Sequence, residues 1–258
     1  MHNSWRRRLY NGGMHIPDAV QTIARDLGEI FGGRLESLVA YGPAANHEPH
    51  DAAHDTAHGA SGQAHTLAIV DGLTRGDLER CAERVAAWHE AGLATPLLLA
   101  AGEFERSLDT FPLEFSAILA DHAVVAGRNP FEGLAIDAAD LRRACEVQAR
   151  SHLLHLREGY LETRGRGDAL SVLIVRSAAP FAALLKSIAR LEGADAHDAS
   201  AAGRHAERRL DVADGIVTGV VALAHVTEIS SEEAMRIFPR YLDAVERLVA
   251  YVDGWSAQ

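Results

Sequence analysis

Two short apolar runs, held apart by a long polar stretch, constrain this chain more than any other feature. Leu38-Val39-Ala40-Tyr41 stops at Gly42-Pro43-Ala44-Ala45, and His65-Thr66-Leu67-Ala68-Ile69-Val70 follows much later. Runs of this kind, bounded by turn residues, read as buried strands. A helix precedes the first: Val20, Ile23, Ala24, Leu27, Ile30 and Phe31 recur at helical spacing from Asp18 to Phe31, and Gly32-Gly33 stops it. The expectation is a strand from Leu35 to Tyr41, a loop from Gly42 to Ala64 and a strand from His65 to Asp71. The two strands should lie side by side in one sheet, with the loop projecting from its edge.

Further along, Thr74-Arg75-Gly76-Asp77 carries a capping signal, and Leu78, Cys81, Val85 and Trp88 continue it as one core-facing helix. Leu97 to Ala100 reads as a third strand. The apolar stretch from Phe111 to Gly127, closed by Gly127-Arg128-Asn129-Pro130, reads as a further strand or strand pair. Beyond Asp137 the period changes. Leu141, Cys145, Ala149, Leu153, Leu156 and Tyr160 form one stripe on a long helix, and a second helix spans Asp168 to Leu191 with a kink expected at Pro180. Helical sequence from Ala199 to Leu210 runs on into Val212 to Val226, where Gly215 and Gly219 permit close packing or a break. Ser230-Ser231-Glu232-Glu233 caps a last helix whose Met235, Phe238, Leu242, Val245, Val249 and Val252 repeat at three-four spacing. Helices of this kind bury their stripes by bundling, and an exposed stripe on the last one would favour a homodimer.

The 258 residues carry 25 Lys plus Arg against 36 Asp plus Glu, a formal charge of -11, so the global field offers nothing to nucleic-acid backbone. Cys81 and Cys145, the only cysteines, sit in helical apolar patterns and read as small buried hydrophobes, which excludes a disulfide framework. No apolar run of signal-peptide length follows Arg6-Arg7-Arg8, and no run reaches the roughly 18 to 20 apolar residues that span a bilayer. A cytoplasmic protein without membrane partners is expected, with Met1 or Met14 as its start.

The order helix, strand, loop, strand, helix, strand, followed by a helical bundle, resembles the nucleotidyltransferase superfamily, the DNA polymerase beta-like fold of minimal nucleotidyltransferases and aminoglycoside adenylyltransferases. The resemblance covers most of the chain. It implies an α/β nucleotidyltransferase-like domain with a mixed sheet over 1–133 and an all-α helical bundle over 134–258. In that family a strand ends in Gly-Ser or Gly-Gly, the next strand opens with two acidic residues one apart, and a third acidic residue comes from a later strand. Gly42 matches the glycine whose missing side chain admits phosphate to backbone N–H groups. Pro43 departs from the motif, lacking both the hydroxyl and the N–H. Aligning the strand ends puts Ala64 and Thr66 at the two acidic positions, so the magnesium that holds a triphosphate loses its ligands. Glu114, in Phe111-Pro112-Leu113-Glu114-Phe115, is the remaining candidate for the third carboxylate. Asp71 lies roughly 16 Å from residue 66 at ~3.3 Å per residue and cannot substitute.

By resemblance, Gly42, Pro43 and Thr66 mark a nucleotide- or ligand-binding loop of a catalytically impaired, degenerate relative. The alternative is an active enzyme adenylating a small molecule, RNA or protein. A third reading rests on the loop itself, where His47, His50, His54 and His58 fall at spacings of three, four and four. If Pro49 opens a helical turn, these form one stripe suited to zinc, nickel or copper, while the bland reading is a solvated insertion. Finally, Arg150, four residues and His155 resemble the ribonuclease spacing of HEPN helical domains, against a bland reading as ordinary helix surface.

Overall fold

The computed structural model describes residues 18–42, 63–194, 196, 198–212 and 214–257. The chain gathers into two compact units that change over between Ile136 and Asp137.

In the first unit, α1 (Asp18–Phe31) leads through a short 3-10 turn into β1 (Leu35–Tyr41). β2 (His65–Val70) pairs antiparallel with β1, as the two apolar runs require. β3 (Leu97–Ala100) pairs parallel with β2, and β4 (His122–Gly127) pairs antiparallel with β1 on its other edge. The result is a mixed four-stranded sheet in the order β3-β2-β1-β4. Its two faces bury different sets of residues. Leu38, Ala40, Ala64, Ala68 and Val70 join Val20, Ile23, Leu27 and Trp88 on one side, while Val39, Leu67 and Ile69 join Phe104, Phe115, Ile118 and Phe131 on the other. That separation is the strand's period of two read directly from packing.

Two expectations are corrected here. The single helix expected from Thr74 to Trp88 is broken into α2 (Arg75–Ala82) and α3 (Val85–Glu90). The break is a tightened turn in which the Arg84 N–H reaches the Cys81 carbonyl at 2.9 Å. It lets Arg84 pair with Asp26 and Glu29 of α1 while the Trp88 indole N–H donates to Asp26 at 2.9 Å. The stretch Phe111 to Gly127 is not a strand pair. It holds α4's (Ala101–Ser107) successor, α5 (Pro112–Ala120), and only then β4. Pro112 opens α5, where its missing N–H is harmless; in a central strand it would delete a ladder bond.

The second unit is all helical: α6 (Ala138–Thr163), α7 (Gly167–Leu191), α8 (Ala199–Leu210), α9 (Ile216–Ala222) and α10 (Ser231–Asp253). The Asp137 carboxylate caps α6 by accepting from Ala139 and Asp140, and Ser230 caps α10 by accepting from Glu233. α7 runs through Pro180 as one helix. It is long and apolar enough to cross a membrane, contrary to the sequence expectation; half of that apolar window is buried in the protein, and α7 packs against α6, α8 and α10 as a bundle's core helix does. Gly215, at φ +71°, breaks the chain before α9, while close helix packing falls to Gly203, where an added Cβ would stand 3.1 Å from the Thr218 side chain. On α10 Phe238, Val245 and Val252 of the expected stripe are buried, Leu242 and Val249 are half-buried and Met235 is exposed, while Ala234, Tyr241, Ala244 and Leu248 complete the buried face. This face brings the Tyr241 ring to the centre of the bundle. The dimer argument from an exposed α10 stripe therefore falls away.

Candidate functional site

Sheet register fixes the site. At the end of β1, Tyr41 stands opposite His65 on β2 and opposite His122 on β4. Directly opposed residues in antiparallel strands share a face, so the three rings form a row across the sheet. Tyr41 packs with the Val39 and Leu67 side of the sheet, and its ring lies 5.6 Å from that of His65. Burial raises the Tyr41 pKa, which keeps its hydroxyl protonated at neutral pH. His122 is held at both nitrogens: Nδ1 lies 3.1 Å from the Leu119 carbonyl and Nε2 lies 3.2 Å from Asn129 Oδ1. That same Asn129 oxygen accepts the Phe131 N–H at 3.0 Å, which fixes the amide's orientation.

Gly42 follows Tyr41 with φ +79°, a left-handed turn that carries the chain out of the sheet and that glycine adopts without strain. Its N–H is engaged by the Asp121 carbonyl at 3.3 Å, which ties the turn to β4. Asp121 thereby brings a carboxylate-bearing residue to the same end of the sheet.

Alternation along β2 puts Ala64 and Thr66 on the covered side of the sheet. Ala64 and Ala68 pack with α1, and Thr66, between them and opposite Ala40, shares that covered side. Thr66 is 1% exposed, and its hydroxyl has no hydrogen-bond partner. It is a core residue. The positions that share the face of Tyr41 are His65 and, by alternation, Gln63. Neither register supplies a carboxylate at the opening of β2. Glu114 lies on the exposed side of the first turn of α5, not on a later strand. Pro43, His47, His50, His54 and His58 lie outside the described residues.

Magnesium, which the family resemblance implies, wants several oxygen ligands with negative charge. Among the described residues no group of three or more His, Cys, Asp or Glu side chains is placed to hold a metal ion. The donor set at the end of β1, two imidazoles, a protonated phenol and an amide with the single carboxylate-bearing Asp121 beside Gly42, lacks the carboxylate pair that the family resemblance implies for magnesium.

The chain superposes on spectinomycin adenyltransferase from Enterococcus faecialis, solved with ATP and spectinomycin, at a TM-score of 0.55 and 9% identity, covering 90% of this chain and 100% of that one. The fold is nucleotidyltransferase-like. No protein-family model and no curated protein sequence matches the chain. The likeness therefore lives in the backbone path.

Two polar groupings of the second unit bear on the residues singled out above. Arg150 donates to Asp253 at 2.7 Å and to Glu146 at 3.3 Å, and His155 Nδ1 lies 3.4 Å from the Ser151 hydroxyl. Arg150 thus ties α6 to α10. The other grouping is central and was not anticipated from sequence: His152 Nε2 lies 2.6 Å from the Tyr241 hydroxyl, which lies 3.1 Å from the Ser177 hydroxyl. The His152 ring stacks on Phe181 with centroids 5.2 Å apart. Burial, and then the neighbouring His155, lower the His152 pKa to about 4, so the ring is neutral. Burial pushes the Cys145 thiol up to about 12, which rules it out as a thiolate nucleophile at neutral pH.

Proposed function

We propose that this chain is a degenerate nucleotidyltransferase-like protein that binds a nucleotide or related small molecule without transferring its nucleotidyl group. The carrying observation is the opening of β2, where His65 stands opposite Tyr41 and the run from Gln63 to Leu67 holds no carboxylate in either register. Nucleotidyl transfer depends on metal-held charge neutralisation at the triphosphate, and a binding function does not. The similar adenyltransferase was solved with ATP, which makes ATP the first ligand to try. At this site the nucleotide would meet the Tyr41 and His65 rings in place of metal-bridged phosphates, offering stacking and hydrogen bonds.

The second reading is an active enzyme that adenylates a small molecule, RNA or protein. Asp121 beside Gly42, joined by Glu114, would have to supply its charge. The two readings separate on metal dependence. Calorimetric titration of ATP should give affinities within a factor of about two with excess magnesium and with chelator, and His65→Ala should weaken both by ~10-fold, the scale of one good contact. An ATP affinity that collapses when the metal is chelated would support the second reading.

A further inference from the structure

The outer face of α6 carries a second apolar stripe that the bundle does not use. Val147, Leu154 and Leu161 are 62%, 62% and 75% exposed. They recur at a strict interval of seven residues. The inner stripe of the same helix runs through Leu141, Cys145, Ala149, His152 and Leu156. Leu154 is two residues from both His152 and Leu156, about 200° around a helix of 3.6 residues per turn, so the outer stripe lies opposite the core. A surface helix needs one apolar face. Here a second one is built, and all three of its members are left in the open.

The interval identifies what would cover it. Seven residues is two turns less ~20° in a straight helix, so a seven-residue repeat follows the seam between two helices wound around each other. The flanks repeat as well. Arg143, Arg150 and Arg157 each stand four residues before a member of the stripe, on one side of it, and Ser151 and Glu158 stand four after, on the other. Glu158 is exposed and has no ion-pair partner among the described residues. Arg157 already donates to Glu246 at 2.7 Å, and its side chain remains 51% exposed, with a guanidinium that carries further donors.

We propose that α6 is a dimerisation helix, and that its occupant is the α6 of a second copy of this chain, running parallel about a twofold axis along the stripe. Charge selects the direction. In a parallel pair each flank meets the opposite flank of its mate at the same height, which sets Arg157 against the second copy's Glu158. An antiparallel pair centred on Leu154 would instead set Arg150 against the second copy's Arg157, a like-charge contact that disfavours that arrangement. Leu154 then meets Leu154, with Val147 and Leu161 meeting their own counterparts above and below. This assembly is independent of what the strand-end site binds.

Sedimentation equilibrium of the full chain tests it. The unmodified protein should be a dimer at micromolar concentrations. Leu154→Glu and Leu161→Glu should each raise the dissociation constant at least ~10-fold, as loss of a central interface residue does, with unchanged circular dichroism. Leu154→Ile should leave the dimer in place. Under mild oxidation, Val147→Cys and Leu161→Cys should each form a disulfide-linked dimer as single variants, with the buried Cys81 and Cys145 unreactive. A monomer up to about 100 μM, a dimer indifferent to both glutamates, or cross-linking confined to the combined Val147→Cys/Leu161→Cys variant would each overturn the proposal.

Discussion

The two units bury their polar groups in different places. In residues 18–136 the sheet faces are largely apolar, with Ser37 and Thr66 the buried exceptions on β1 and β2, and the buried charges stand at the margins. Asp77 is gripped by Arg34 at 2.7 Å, by Thr74 and by Arg80, and Asp26 by Trp88 and Arg84. In residues 137–257 one polar network stands at the centre, where His152, Tyr241 and Ser177 join α6, α7 and α10, and a second, Glu192 with His205, Arg209 and Tyr251, ties the end of α7 to α8 and α10. A sheet saturates its backbone bonds internally and needs polar side chains only where helices attach. A bundle has no ladder to set the register of its helices, and a buried hydrogen-bonded network is one device that does. The first unit is thus left with one polar row facing a turn, at Tyr41, His65 and His122, and that row is where a ligand would be met.

The comparison breaks first at Gly127, where β4 crosses β1. This glycine has φ +76°, and an added Cβ would sit 2.0 Å from the Glu36 carbonyl oxygen. Gly127→Ala should cost more than ~4 kcal/mol, the scale reserved for backbone clashes and similar faults. Because Trp88 lies in the first unit, its fluorescence in a denaturant titration should report the loss, while the helical signal of the second unit persists.

The next effect belongs to the bundle. The folded-state pKa of His152 is lowered, so the unfolded chain binds the extra proton first as pH falls. Stability should therefore decline from pH 6.5 downwards and level off near pH 4, by at most ~3 kcal/mol for a shift of this size. His152→Phe should remove this slope. Equal acid sensitivity in the variant would mean that the central network is not what distinguishes the bundle. Asp77 adds acid sensitivity of its own at lower pH: hydrogen bonds from Arg34 and Thr74 hold its carboxyl well below the ordinary range, so its contribution is lost as pH falls below about 4.

The smallest effect sharpens the site. Thr66 buries a hydroxyl with no partner, so Thr66→Val should stabilise the first unit by about 1 kcal/mol and leave ATP affinity unchanged. Weakened ATP binding would return Thr66 to the ligand site.

Thr66 also shows where sequence reading ran out. The pairing of β1 with β2 was legible because two apolar runs flanked one polar insertion. The face of each residue was not, since His65-Thr66-Leu67-Ala68-Ile69-Val70 is covered on both sides and shows no alternation, and a slip of one residue turns every side chain over. Gln63 and His65 were therefore missed in favour of Ala64 and Thr66. The helix at Pro112 was misread because Phe111 to Gly127 is apolar throughout, although proline at its start was a usable sign. Tyr241 and His152 were invisible as a pair, since 89 positions separate them. The glycine turn at Gly42 was legible, but its N–H bond to Asp121 depends on β4, which sequence placed only loosely.

Pyrophosphate release is the most direct test of the central claim that the fold persists here without its chemistry. With ATP, magnesium or manganese, and small-molecule, RNA and protein acceptors, the protein should bind nucleotide and show no turnover above background. Loss of even one transition-state donor costs about 3 kcal/mol, and the missing carboxylates remove more than that. Turnover near ~1 per second, the low end of ordinary enzymes, abolished by Glu114→Gln or Asp121→Asn, would contradict the account and establish an active transferase.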